Sequence, residues 1–146
     1  MIVVDRALSL TQPWATLMAI DAKRVETRAW NTNYRGWIAI HASKGFPMEC
    51  RNLCYSSPFG LAMANCISPD DLPLGQILAV TEIVESRRTE HVGASLSEQE
   101  IALGDYSPGR YAIFTRGVRR LKQPITIKGA LSIWRMTSPI TEADLV

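Results

Sequence analysis

The chain has 146 residues, which one domain fills and which is long enough to bury a real core. With 47% hydrophobic and 21% charged residues it falls outside the disordered and collagen-like classes. A formal net charge of +2 excludes the strongly basic class in which charge alone marks a polyanion binder, so any such site must come from a local cluster.

Cysteines 50, 54 and 66 lack CxxC spacing, and only His41 and His91 supply imidazoles. This set builds neither a disulfide framework nor a zinc site, and no metal or cofactor is expected. The opening MIVVDRALSL carries Asp5 and Arg6 where a signal core would be apolar, and no apolar run approaches the ~18 residues of a membrane span. A cytoplasmic protein without membrane association is therefore expected.

In chain order, the alternating run Ala7–Leu10 suits a half-buried strand, and Thr11-Gln12-Pro13 opens a short helix reaching Ile20. Trp14, Leu17 and Met18 share one face of that helix. A strand over 24–30 would set Val25, Thr27 and Ala29 on one face and Arg24, Glu26, Arg28 and Trp30 on the other. The charged face has two readings: a solvated ladder of ion pairs, or donors and an aromatic ring free for an anionic or planar ligand. Trp14, Trp30, Tyr34 and Trp37, interleaved with Lys23, Arg28, Arg35 and Lys44, match what base stacking and phosphate neutralisation require.

Tyr34-Arg35-Gly36 turns into the apolar strand Trp37–Ala42, where His41 reads as a hydrogen-bonded structural residue. A helix over 48–55 and a short one over 61–65 precede a Pro/Asp-rich loop. Ile77–Ser86 is a strand apolar on both faces, in which Glu82 requires a partner. Ser97-x-x-Glu100 starts a short helix inside a polar loop, with the spacing of a capping box. Arg110–Thr115 is a strand, VRRLKQP is its polar continuation or a loop, and the last unit bends at Lys128-Gly129 before Leu131, Ile133 and Trp134 close the fold. The pattern predicts a single α+β domain over 1–146, built on about five to six strands with short flanking helices.

The motifs QPWA, KRVETRAW, RGWIAIHA, PLGQILAV and IKGALSIWRM, in that order over about residues 6–137, resemble the ASCH domain family. The resemblance implies a PUA-like β-barrel with a cleft for RNA or single-stranded DNA. On this sequence the nucleic-acid-binding residues would be Trp14, Lys23, Arg28, Trp30, Tyr34, Arg35 and Lys44. Some relatives in the family are amidohydrolases acting on acylated cytidine, a modified nucleoside, through a lysine, a threonine three residues later and a distant glutamate. Lys23 matches the lysine, but Glu26 stands at the threonine's place and Thr27 falls one residue on. An enzyme here would have Lys23 and Glu26 as its acid–base pair. For a ribonuclease, a further alternative, the sequence supplies neither a histidine pair nor a carboxylate cluster.

Overall fold

Six strands follow the alternating segments of the sequence in a computed structural model that describes residues 1–63 and 68–146. They are β1 (Val3–Leu10), β2 (Val25–Arg28), β3 (Gly36–Ala42), β4 (Gln76–Arg88), β5 (Tyr111–Thr126) and β6 (Ile133–Thr141). The sheet order is β2-β5-β4-β3-β1-β6, antiparallel except where β1 runs parallel to β3. Four short helices decorate it: α1 (Trp14–Ala19), α2 (Met48–Leu53), α3 (Phe59–Ala62) and α4 (Glu98–Ala102). None of the described helices is long and apolar enough to cross a membrane. The expected short helix over 61–65 lies partly, and Cys66 wholly, outside the described residues.

Strand alternation builds a core on each face of the sheet. On one face Leu8, Leu10, Ile38, Ile40, Ile83 and Ile113 pack with Ala15 and Met18 of α1. On the other, Ala7, Ala39, Ile77 and Val80 pack with Leu121, Met136, Ile140 and Leu145. The QPW motif anchors α1. Gln12 is fully buried, its carbonyl oxygen accepts from the Thr16 N–H at 2.9 Å, and its amide donates to Thr16 Oγ1 and to the Pro73 carbonyl. A side chain thus satisfies one of the orphan N–H groups at the helix start.

The α+β class and the strand number follow the sequence pattern, but the sheet is not closed into a true barrel. Strands β2 and β1 stand four places apart in the order, yet Arg28 of β2 donates from Nη2 to the Ser9 carbonyl of β1 at 2.7 Å. The sheet is curled until its ends face one another, and among the described residues no ladder joins β2 to β1 or β6. A side chain bridges the seam instead.

At one segment the structure decides between two alternatives of the sequence reading, and two others depart from it. VRRLKQP is strand, because Gly117 takes a positive φ of 68° and the ladder to β4 shifts register there, so β5 absorbs the irregularity as bulges and continues. Leu131 closes nothing: it is 92% exposed, at the tip of the loop over 127–132, next to Ser132 with φ 57°. Ser97 caps α4 by accepting from the Glu100 N–H, as expected, but the Glu100 carboxylate does not return to the cap. The Arg116 guanidinium meets the requirement at Glu82 at 3.0 Å.

Candidate nucleic-acid interface

The open seam is where the chemistry gathers. A cavity of about 300 Å³ is lined there by Ser9, Thr11, Trp14, Glu26, Arg28 and Arg110, with Thr27, Gly104 and Asp105 completing the wall. Regular alternation in β2 sends Glu26 and Arg28 to the same side, and they meet as an ion pair at 3.0 Å. The pair is partly buried, and Arg28 is held at three points: Glu26 Oε2, the Ser9 carbonyl, and the Trp30 ring with its centroid 5.8 Å away. Glu26 Oε1 accepts no hydrogen bond among the described residues, so one acceptor remains available. Trp14 enters from the first turn of α1; its indole N–H donates to the Leu103 carbonyl at 2.7 Å and its ring meets Phe59 edge-on, which fixes its orientation.

Arg110 donates to the Thr27 and Asp105 carbonyls and lies 3.5 Å from the Asp105 carboxylate. Hydrogen bonds from the Ser107 hydroxyl and N–H, with Arg110 nearby, hold the Asp105 carboxyl below its usual range. The cavity wall therefore carries two carboxylates and two guanidiniums.

Lys23 takes a different position from its sequence neighbours. Its side chain is 1% exposed and lies outside both cavity walls, and its ammonium donates to the Val25 carbonyl and pairs with Glu100 Oε2 at 3.0 Å. The other oxygen of Glu100 accepts from the Arg24 N–H at 2.8 Å, so the carboxylate read as half of a capping box neutralises a buried lysine. Gly104 separates Lys23 from the cavity: a Cβ there would sit 3.4 Å from Nζ and 2.9 Å from the Tyr106 ring. The Tyr106 hydroxyl is buried without a partner among the described residues, and burial, with Glu100 and Glu26 adding, raises its pKa far above the usual tyrosine value.

Tyr106 gives a test of this region. Removing a buried unpaired hydroxyl with Tyr106→Phe should leave stability unchanged or raise it by about 1–3 kcal/mol near neutral pH. Because the folded-state pKa is raised, wild type holds the associated stability below about pH 10 and loses it as pH climbs beyond. Urea unfolding at pH 8 and pH 11 should show a steeper alkaline loss in wild type than in the variant. Equal losses would mean that Tyr106 ionises freely in the fold.

A second bay of about 980 Å³ continues from the first and shares Ser9, Thr11 and Arg28 with it. Lys44 lines this bay, as do Lys128, Ser43 and the loop over 127–132. Its floor is a hydrogen-bonded chain. His41 Nε2 lies 2.8 Å from the Ile127 carbonyl, which can only accept, so Nε2 carries the proton. Nδ1 then accepts from the Ser9 hydroxyl at 2.8 Å, and Ser9 Oγ accepts from the Trp134 indole at 3.1 Å. His41 is 2% exposed and fully engaged, matching its reading as a structural residue.

Of the residues singled out in the sequence, Trp14, Glu26, Arg28 and Lys44 meet along this continuous cleft, with Trp30 behind Arg28. Tyr34 and Arg35 line neither cavity: the Tyr34 hydroxyl donates to the Trp37 carbonyl, and exposed Arg35 donates to the Thr32 and Tyr34 carbonyls. Ser9, Arg110, Asp105 and Lys128 are not among the residues that the sequence marks as a site. Only Ser9 carried a signal, as the polar residue inside an apolar strand.

Comparison with known proteins agrees with this architecture. The family model of the ASCH domain matches residues 8–125. Activating signal cointegrator 1 from Homo sapiens is 29% identical over 136 residues, and its Mus musculus counterpart 28%; each match covers 91% of this chain. The chain spans about 22% of the length of those relatives. Among solved structures, a point mutant of the ZmASCH protein from Zymomonas mobilis superposes with a TM-score of 0.54 at 14% identity, covering 90% of this chain and 87% of that one.

Proposed function

The chain belongs to the ASCH domain family, and from that premise we propose that it is a nucleic-acid-binding module that takes a single-stranded RNA or DNA segment into the seam cleft. The observation that carries the reading is the convergence of Trp14 from α1 with Glu26 and Arg28 from β2 on one cavity, at the open edge of the curled sheet. Trp14 supplies an aromatic surface for a base, Glu26 Oε1 an acceptor for a base amino group, and Arg28 a fixed cation for the adjoining phosphate. The volume of about 300 Å³ falls at the small end of ligand pockets, the scale of a single base rather than a folded partner.

Fluorescence anisotropy of a labelled oligocytidine across a salt series tests this directly. Wild type should bind at low salt, with log affinity falling by about 0.7 per phosphate neutralised for each unit of log salt. Trp14→Ala should weaken binding by about 5- to 150-fold with the slope unchanged, the effect of one lost base stack. Arg28→Gln should flatten the slope by about 0.7. No measurable binding by wild type at low salt would sink the proposal.

One observation favours a second reading, hydrolysis of an acylated nucleoside: the Lys23–Glu100 pair sits directly behind Gly104 at the wall of the cavity that Glu26 also lines. That reading requires turnover of an acylated cytidine that Glu26→Gln abolishes. Oligonucleotide binding without turnover discards it.

A further inference from the structure

Charge is sorted along the cleft. The first cavity mixes carboxylates with guanidiniums, whereas none of the described residues lining the second bay is acidic. The described surface explains why this matters. Most arginines are neutralised in place: Arg51 by Asp70, Arg116 by Glu82, Arg119 by Glu142, Arg135 by Asp5. The cationic side chains outside any ion pair among the described residues are Arg35, Lys44, Arg120, Lys122 and Lys128. Two of these five, Lys44 and Lys128, line the same bay, from chain positions far apart.

We propose that this bay is a phosphate site for the sugar–phosphate chain, held by Lys44 and Lys128 with the hydroxyls of Ser43 and Ser132, and that it orients the strand with the recognised base at Glu26. The inference rests on the nucleic-acid reading and adds a direction to it. A concave surface with unpaired ammonium groups and no opposing carboxylate raises local anion density more than the same charges on a paired face. The bay has about three times the volume of the first cavity, which suits an extended chain of phosphates and sugars. Its far wall is tied to the sheet by the bond from His41 to the Ile127 carbonyl, one residue before Lys128. Arg28, shared by both cavities, occupies the waist where a base joins its backbone.

The test uses the full chain, a labelled oligocytidine and sodium tripolyphosphate as a base-free probe. Tripolyphosphate should displace the oligonucleotide from wild type. The Lys44→Gln/Lys128→Gln double variant changes two unpaired side chains and should keep the wild-type melting temperature. Its affinity at about 0.1 M salt should be about 25-fold weaker and its salt slope shallower by about 1.4, the effect of two phosphate contacts across the tenfold interval to 1 M. Its residual binding should resist tripolyphosphate. If wild type binds the oligonucleotide and the double variant matches it in affinity, slope and competition, the phosphate bay is overturned while the binding reading stands. If wild type binds neither probe, both fall.

Discussion

Glu100→Ala is expected to destabilise the fold by about 3–5 kcal/mol in urea unfolding. Lys23 is among the most buried side chains of the protein, and Glu100, at 3.0 Å and 11% exposed, is its counter-charge. Truncating the carboxylate strands a buried ammonium whose remaining contact is the Val25 carbonyl, and an uncompensated buried charge is what makes breaking such pairs expensive. The Arg24 N–H loses its acceptor as well. The paired replacement Lys23→Met/Glu100→Leu should recover most of the loss, because removing both charges also removes the desolvation penalty they share. A single variant within about 0.5 kcal/mol of wild type would show that the ammonium finds water, and that the pair is an ordinary surface contact.

Gly129→Ala should lower stability by about 2–4 kcal/mol although it adds one methyl group. A Cβ at that position would sit 2.6 Å from Ser9 Oγ, 2.6 Å from His41 Cε1 and 2.8 Å from His41 Nδ1. Those atoms cannot yield cheaply, since both side chains belong to the chain linking Ile127, His41, Ser9 and Trp134. Overpacking costs about 1–3 kcal/mol, and the broken hydrogen bond about one more. The loop carrying Lys128 would move with the displaced histidine, so oligonucleotide affinity should fall together with the melting temperature. A variant as stable as wild type would mean that the β5–β6 loop floats free of the sheet.

The sequence made the strands legible wherever one residue's surroundings decide its conformation. Alternation located them, and Gln12-Pro13 with Trp14 located α1. Glu26 and Arg28 fell on one side of a strand because a period of two admits no other result. What stayed hidden depends on contacts distant in sequence. Ser97-x-x-Glu100 fits a capping box, and nothing local says that Glu100 will reach back 77 positions to neutralise Lys23. Lys23 reads as a phosphate contact in the sequence because burial is a property of the assembled fold. The seam is another such case: Arg28 meets the Ser9 carbonyl only once the sheet has curled, and the two positions are 19 residues apart. Lys128 became visible beside Lys44 for the same reason. Gly117 is a local case: a glycine inside a polar run leaves strand continuation and loop both open, and its positive φ here permits the bulge through which the strand continues.

Photocross-linking of a short oligonucleotide to the full chain, read residue by residue by mass spectrometry, tests most directly whether the seam cleft is the binding site. The chain offers a competing basic surface on β5, where Arg120 and Lys122 stand outside any ion pair among the described residues, beside Arg116 and Arg119. Adducts are expected at Trp14, Ser43-Lys44 and the loop over 127–132, with those at Trp14 suppressed by free cytidine. Adducts confined to Arg116–Lys122, with Trp14 and Lys44 unmodified, would contradict it and move the interface to the outside of the sheet.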